Sequence, residues 1–255
     1  MKSLLICKLF CFICRYMDEK ELEQIDDLLC GGLKVIQRKD AFRYGTDGVI
    51  LSDFAAPLIP ENGRVMDFGT GTGILLLLLS AKSRGRYFTG IELQPEIAQM
   101  AQRSAALNHL EDAIQIICGN IKNAAVLTGR RCFETVVTNP PYKRAGSGLH
   151  NQNPGVAIAR HEIACTLKDI ICAASEVLVP GGHFIMVNRP ERLADTLALM
   201  RQYQLEPKLL RFVHTSAEMR PILFLIDGIL FGGPHLTVEK PLLLNSAGYS
   251  GTVKS

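Results

Sequence analysis

The amino-acid sequence predicts an α/β fold, Rossmann-like, in which a mostly parallel β sheet carries helices on both faces. Short apolar runs typical of buried parallel strands alternate with helical stretches along most of the chain. Glycine or polar residues follow several of these runs, as they do at the ligand-binding edge of a parallel sheet. The last two runs, 208–213 and 222–226, are too close together for a helical crossover. They therefore predict an antiparallel end to the sheet.

Composition limits the class of protein. The chain has 255 residues, of which 47% are hydrophobic, enough for the core of one α/β domain. Its net charge of +3 permits a nucleic-acid partner but does not require one. The cysteines from Cys30 onward are scattered and predict reduced thiols, not a disulfide framework. The longest apolar run, Ile74–Leu79, is far too short to span a membrane.

The two ends of the chain differ from its centre. Residues 1–16 are expected to be an extension, residues 17–240 a single domain, and residues 241–255 a C-terminal tail. Within the extension, three cysteines have the C-x3-C-x2-C spacing that resembles the iron–sulfur ligands of radical S-adenosylmethionine enzymes, but the pattern that follows predicts a different fold. A signal peptide is a further alternative, disfavoured because Lys8 interrupts its apolar region.

The first part of the domain predicts one helical stretch, one strand and one turn. Residues 18–30 are acidic, with leucine and isoleucine at near-helical spacing, and 33–37 predict a strand. Residues 42–47 form either a capped turn or a lid over a ligand. An apolar helix follows, for which Thr46 or Asp47 is the expected N-cap.

A glycine-rich segment follows the next strand, 64–68, and precedes the helix Ile74–Lys82. Glycines there let the backbone approach a ligand, and a helix N-terminus offers N–H groups. The spacing from Asp67 is D-x-G-x-G-x-G, which differs from the G-x-G-x-x-G of dinucleotide sites. A carboxylate before the glycines suits a ligand that carries an ammonium group.

Polar residues also end the next two strands. Glu92 follows strand 86–91, and its carboxylate can accept hydrogen bonds from both hydroxyls of a ribose. Asn120 follows strand 114–118. Its amide can pair with an adenine edge, cap the helix predicted at 121–127, or do both.

The fourth strand, 133–138, runs into Asn139-Pro140-Pro141-Tyr142. Consecutive prolines cannot continue a central strand, so this segment either terminates the strand or holds a planar ligand. A glycine- and asparagine-rich loop follows, of a length typical of functional or mobile loops. A helix is predicted from Arg160 to Val177, then a turn at Pro180-Gly181-Gly182, strand 184–187 and a helix from Glu191 to Tyr203.

Together, DFGTGTG, Glu92, Asn120 and NPPY resemble a class I S-adenosylmethionine-dependent methyltransferase, and NPPY resembles those that act on a planar exocyclic or amide nitrogen. Three stretches, FRYGTDGVILSDFA, NPPYKRAGSGLHNQNP and AIARHE, are similar to the bacterial tRNA(Val) adenine-N6-methyltransferase family. That family methylates the adenosine just 3′ of the anticodon. The resemblance covers residues 18–238, with one departure at Asn120, where many members carry Asp.

This resemblance implies a seven-stranded sheet whose last strand is antiparallel, S-adenosylmethionine as cofactor, a tRNA substrate and a cytoplasmic location. It implies no metal, membrane or stable protein partner. The cofactor-binding residues that it implies are Tyr44, Thr46, Asp47, Asp67, Gly69, Thr70, Gly71, Gly73, Glu92, Leu93, Asn120, Ile121 and Asn139. The catalytic residues are Asn139, Pro140, Pro141 and Tyr142, and the RNA contacts are Lys143, Arg144 and Arg160.

The chemistry expected at NPPY is methylation of an adenine amine, whose lone pair is delocalised into the ring. The Asn139 side-chain oxygen and the Pro140 carbonyl would each accept a hydrogen bond from one of its two N–H groups and draw the lone pair out of conjugation. Tyr142 would stack on the base. The alternatives are methylation of a glutamine amide in a protein such as a release factor, another NPPY-type RNA or DNA amino-methyltransferase, an NAD-dependent oxidoreductase, and a non-catalytic RNA-binding module. The glycine spacing and NPPY disfavour the oxidoreductase, and the intact acidic and NPPY positions disfavour the non-catalytic module.

Overall fold

The fold is built around a nine-stranded sheet whose strands alternate with helices. It is a computed structural model, which describes residues 22–39, 46–140 and 165–245. The strands are β1 (Glu23–Asp27), β2 (Lys34–Arg38), β3 (Arg64–Phe68), β4 (Tyr87–Glu92), β5 (Ile114–Cys118), β6 (Phe133–Thr138), β7 (Leu178–Asn188), β8 (Leu205–His214), β9 (Leu223–Leu230), β10 (Thr237–Val238) and β11 (Leu242–Leu243). The helices are α1 (Thr46–Ala55), α2 (Ile74–Lys82), α3 (Pro95–Leu107), α4 (Ala124–Thr128), α5 (Leu167–Val177) and α6 (Leu193–Gln202).

The sheet has the predicted mostly parallel order with an antiparallel end. The strands lie in the order β10-β8-β9-β7-β6-β3-β4-β5, and β11 also pairs with β8. The strands β3 to β7 pair in parallel with their neighbours, whereas β9 is antiparallel to both β7 and β8. The seven strands β3 to β9 thus confirm the predicted sheet. Its predicted C-terminal boundary, residue 240, falls between β10 and β11, which both pair with β8.

Helices cover the two faces of the sheet. Side chains alternate along each strand, so Val65 and Val137 pack with α1, α2 and α3, while Met66 and Val136 pack with α4, α5 and α6. Burial on both faces explains why these strands are continuous apolar runs. In α2 the five leucines, Leu75–Leu79, are all buried. This helix therefore fixes the glycine segment that precedes it firmly against the sheet.

The prediction of a helical stretch at 18–30 is wrong, because residues 23–27 form β1, which pairs with β2 in an antiparallel hairpin. The hairpin docks on α3. Arg103 binds Glu23 through two hydrogen bonds of 2.6 and 2.7 Å, and the Ile36 N–H donates to the Ser104 hydroxyl at 3.0 Å. These tertiary contacts override the local helical spacing, as β pairing commonly does.

The helix predicted to open at Arg160 begins instead at Leu167 in the described part of the chain. Thr166 is its N-cap: its hydroxyl accepts from the Asp169 N–H, while the Asp169 carboxylate accepts from the Thr166 N–H. This reciprocal capping box sets the start of the helix. The predicted turn at 180–182 is absorbed into β7 as an irregularity, where the register with β6 shifts.

Candidate active site

The polar residues singled out in the sequence meet at one edge of the sheet. Because β3, β4, β5 and β6 are parallel neighbours, their carboxyl ends lie side by side. The glycine segment follows β3, Glu92 ends β4, Asn120 follows β5 and Asn139 follows β6. The topology therefore brings together residues up to 72 positions apart, from Asp67 to Asn139.

The glycine segment is anchored to β4. The Gly69 and Thr70 N–H groups both donate to the Ile91 carbonyl, at 2.9 and 3.1 Å. Gly69 and Gly71 have φ of 73° and 56°, in the left-handed region that glycine adopts without strain. These two N–H groups hold the segment in place, and the contact of its backbone with a ligand stays a prediction.

Glu92 fixes the same segment from its side chain. It is 1% exposed, and its Oε2 accepts from the Gly71 N–H at 3.0 Å while its Oε1 accepts from the Gln94 N–H at 2.9 Å. The carboxylate is thus held in one orientation, and its contact with a ribose stays a prediction.

Asp67 is a buried acid at the end of β3, 2% exposed. Burial raises the pKa of Asp67 to about 7; the negative charge of Glu92 adds to the shift, and the side chain of Thr70 opposes it. The pairing residue on β4 is Gly90, where a Cβ would lie 2.7–2.8 Å from three side-chain atoms of Thr70. A carboxyl group in this state ionises more readily when a cation approaches it.

A pocket opens beside the glycine segment. It is lined by Gly69, Ile91, Leu93, Gly119, Asn120, Ile121 and Cys165. Its walls are mostly apolar, with one amide, which fits a flat heterocycle that carries polar edge atoms. Asn120 also caps the turn that follows, since its Oδ1 accepts from the Lys122 N–H at 2.9 Å. The predicted cap is therefore confirmed, and the same residue lines the pocket.

Cys165 is a pocket residue that sequence reasoning missed. It lies just before the capping box of α5, and Asp169 of that box also pairs with Lys122 at 3.3 Å. Burial raises the pKa of the Cys165 thiol to about 12, so it is a neutral wall at physiological pH. A single cysteine has no spacing pattern, and only the fold shows that α5 starts against the Asn120 turn.

Asn139 stands where the strand stops. β6 ends at Thr138, as predicted, and the Thr138 hydroxyl donates to the Phe68 carbonyl at 3.0 Å. Phe68 and Thr138 are direct neighbours across the two strands, so Asn139 comes out beside Gly69, about 5 Å away in strand spacing. Asn139 is exposed while Pro140 is buried. Asn139 thus lies exposed next to the glycine segment, and its contact with a substrate stays a prediction.

Two of the predicted cofactor residues belong to α1, and several others lie outside the described residues. Thr46 and Asp47 form the first turn of α1, whose contacts are with α2 and β7, and their contact with the cofactor stays a prediction. The residues Tyr44, Pro141, Tyr142, Lys143, Arg144 and Arg160 lie outside the described residues. In the described ranges no three His, Cys, Asp or Glu side chains group as a metal site, and no helix is long and apolar enough to cross a membrane.

Comparisons with known proteins agree with this geometry. A family model, the methyltransferase small domain, matches residues 39–206. A Porphyromonas gingivalis protein named tRNA1(Val) (adenine(37)-N6)-methyltransferase is 35% identical over 187 residues, 71% of this chain and 72% of the relative. An Aeromonas salmonicida protein of the same name is 32% identical over 158 residues, 62% of this chain and 63% of the relative.

Solved structures share the fold. A predicted O-methyltransferase from Agrobacterium tumefaciens superposes with a TM-score of 0.64 at 21% identity, over 80% of this chain and 90% of that one. A Thermotoga maritima O-methyltransferase gives a TM-score of 0.52 at 15% identity, over 76% of this chain and 68% of that one. With the glycine segment, Glu92, Asn120 and Asn139 gathered at one sheet edge, the chain belongs to the methyltransferase small domain family and, within it, to the tRNA1(Val) (adenine(37)-N6)-methyltransferases.

Proposed function

We propose that the protein transfers a methyl group from S-adenosylmethionine to the exocyclic N6 amine of adenosine 37 in tRNA1(Val), in the cytoplasm. The observation that carries the proposal is the exposed amide of Asn139, which leaves β6 beside the glycine segment. Residues 17–240 act as one catalytic domain. The relatives named above carry the same activity in their names.

The cofactor site fits the chemistry of S-adenosylmethionine, which supplies the methyl group when bound. Asp67 receives the ammonium group, because a buried carboxyl with a pKa of about 7 ionises beside a cation. Glu92 accepts from the ribose hydroxyls, since its buried carboxylate is held at the end of β4 by the Gly71 and Gln94 N–H groups. Leu93 and Ile121 flank the adenine, and the Asn120 amide meets its edge.

Catalysis rests on two acceptors. The Asn139 side-chain oxygen and the Pro140 carbonyl each accept a hydrogen bond from one N–H group of the target amine. Together they draw its lone pair out of conjugation with the ring. Positive charge grows on that nitrogen as the methyl group is transferred, so both acceptors bind the transition state better than the substrate. A side-chain base is unnecessary, since the methylated nitrogen is itself acidic.

The substrate base arrives from a loop that is already largely unpaired, so extruding it costs less than extrusion from a duplex. Tyr142 stacks on the base, a contact worth about 1–3 kcal/mol. Lys143, Arg144 and Arg160 meet neighbouring phosphates, which makes binding dependent on salt. All four residues follow the exposed Asn139 in the chain, and this position in the sequence supports their assignment.

The test is incubation with labelled S-adenosylmethionine and total tRNA from cells that lack the enzyme, followed by nucleoside analysis. The expected product is labelled N6-methyladenosine in the tRNA1(Val) fraction, with no label when Asn139→Ala replaces the wild type. Label on the glutamine of a Gly-Gly-Gln-containing release factor, with none in tRNA, would overturn the proposal in favour of a protein substrate.

A further inference from the structure

The sheet continues past the catalytic strand, and its far half reaches the same edge. β7 runs parallel to β6, and β8 runs in the same direction because both β7 and β8 are antiparallel to β9. The turn between β8 and β9, residues 215–222, therefore lies at the carboxyl edge together with Asn139. Strands are spaced about 4.8 Å apart, which puts this turn roughly 10–15 Å to the side of Asn139.

Two arginines from separate connections meet on this turn. Arg189 follows the end of β7, is exposed, and its Nη1 donates to the Ile222 carbonyl at 3.5 Å. Arg220 is exposed two residues earlier in the turn, next to Met219, whose side chain is 59% exposed. We call Arg189, Met219 and Arg220 the β7–β9 surface.

Arg220 differs from most arginines of the fold. Six others each have a carboxylate partner: Arg64 with Glu134, Arg103 with Glu23, Arg130 with Glu176, Arg192 with Asp195, Arg201 with Glu206 and Arg211 with Glu239. Arg220 has no ion-pair partner among the residues that the structure describes. Its charge is thus available to an anion from outside the protein.

The turn is held in shape before any ligand binds. The His214 Nδ1 is 2.7 Å from the Met219 carbonyl, and the Ile222 N–H donates to the Val213 carbonyl at 2.8 Å. The one acid of the turn, Glu218, has its pKa lowered by a hydrogen bond from Ser216, so it stays ionised and offsets part of the positive charge of the two arginines. A preformed cationic surface loses little conformational entropy on binding.

We propose that the β7–β9 surface binds phosphates of the tRNA anticodon arm, on the side of the target base that lies beyond β6, with Met219 against a sugar or base. Planar guanidinium groups suit phosphate oxygens, and the exposed thioether of Met219, next to Arg220 in the chain, suits the apolar parts of a nucleotide. The inference rests on the proposed function. It adds a contact surface on residues far in sequence from Lys143, Arg144 and Arg160.

The test compares the effects on tRNA binding of replacing arginine by glutamine at the two edges of the sheet. The affinity of wild type, Arg220→Gln and Arg189→Gln/Arg220→Gln for tRNA1(Val) is measured over a series of salt concentrations. Each lost phosphate contact should reduce the magnitude of the slope of log K against log salt by about 1. The affinity should fall for each variant, by about tenfold or more for the double variant. The matched control is Arg84→Gln, an exposed arginine just before β4 at the opposite edge, which should match wild type.

The same measurement on an isolated anticodon stem-loop locates the contact. Because the β7–β9 surface lies close to Asn139, the slope change should be as large with the stem-loop as with whole tRNA. The single Arg220→Gln variant leaves the Arg189 contact with Ile222 intact, so it reports on charge and not on folding of the turn. Cofactor affinity should be unchanged in every variant.

Two results would separate the proposals. If wild type methylates tRNA but Arg220→Gln and the double variant keep its affinity and salt slope, the surface is not an RNA contact, while the proposed function stands. If wild type neither binds nor methylates tRNA, the proposed function fails and this inference fails with it. A loss seen with whole tRNA and absent with the stem-loop would overturn the anticodon-arm placement.

Discussion

The cofactor half and the catalytic end of the sheet edge are built in opposite ways. Asp67 and Glu92 are 2% and 1% exposed, and the glycine segment between them is bound to β4 through its own N–H groups. Asn139 is exposed at the end of a strand that the prolines stop. The first half is a prearranged network in which each polar group also stabilises the fold, whereas the second ends in one exposed asparagine, which we propose contacts the substrate.

The largest effect should come from the catalytic end. Asn139→Ala should lower kcat about 10²–10³-fold, the scale observed when one preorganised polar contact to a transition state is lost. Asn139→Ser and Asn139→Asp keep an acceptor oxygen and should retain part of the activity. Calorimetry should give an unchanged cofactor affinity for all three. If Asn139→Ala methylated tRNA at the wild-type rate, Asn139 would have no catalytic role and would only mark the end of the strand.

Glu92 should show the mixed behaviour of the cofactor half. Glu92→Ala removes the acceptors of the Gly71 and Gln94 N–H groups together with the ribose contact. Cofactor affinity by calorimetry should fall at least tenfold, and the free energy of unfolding should drop by about 1–3 kcal/mol. Glu134→Gln, which loses an ion pair with Arg64 at the other end of β6, should leave cofactor affinity unchanged. Equal affinities for Glu92→Ala and wild type would remove Glu92 from the site.

Asp67 should make cofactor binding dependent on pH. The folded pKa of about 7 lies above the unfolded value of 3.8, so the free protein binds this proton more tightly than the unfolded chain. Its stability without cofactor should therefore fall as pH rises from about 4 to about 7. Because an ammonium group favours the ionised form, cofactor affinity should rise with pH up to about 7 and level off above it.

The measurement is calorimetry from pH 5.5 to 8.5, with proton release followed in buffers of different ionisation enthalpy. Affinity should fall up to tenfold for each pH unit below 7. Asp67→Asn should bind weakly at every pH and show no such slope. A flat profile for wild type would mean that Asp67 stays neutral when the cofactor is bound.

Cys165 should give the smallest effect. Cys165→Ala removes a small apolar contact from the pocket wall, worth about 0.5–1 kcal/mol, so cofactor affinity should fall about 2- to 5-fold. Cys172→Ala, within α5 and away from the pocket lining, is the control and should bind as wild type does. An equal loss in both variants would point to α5 as a whole and not to the pocket wall.

The sequence predicts the sheet well because its strands are buried on both faces. The ends of β5 and β6, at Cys118 and Thr138, coincide with the predicted positions. The strand predicted at 33–37 is confirmed as β2, whereas β1 is not predicted, because its own spacing looks helical and contacts with α3, such as Arg103 with Glu23, hold it in place. Cofactor residues could be predicted from strand ends, whereas Cys165 could not, because its place depends on where α5 starts.

The substrate side was predictable only from motifs. NPPY indicates the chemistry, but nothing in the sequence around Arg189 or Arg220 indicates that they share a surface. Met219 and Arg189 are 30 positions apart in the chain. Their meeting depends on β9 inserting antiparallel between β7 and β8. Topology of this kind is a tertiary property that local periodicity does not encode.

The central claim is that one adenine amine is the methyl acceptor. The most direct measurement uses tRNA1(Val) made with either adenosine or guanosine at position 37, incubated with wild-type protein and labelled S-adenosylmethionine. The account predicts close to one labelled methyl group per adenosine-37 tRNA, recovered as N6-methyladenosine, and none in guanosine-37 tRNA. Equal labelling of both tRNAs, or label recovered on any other nucleoside, would contradict it.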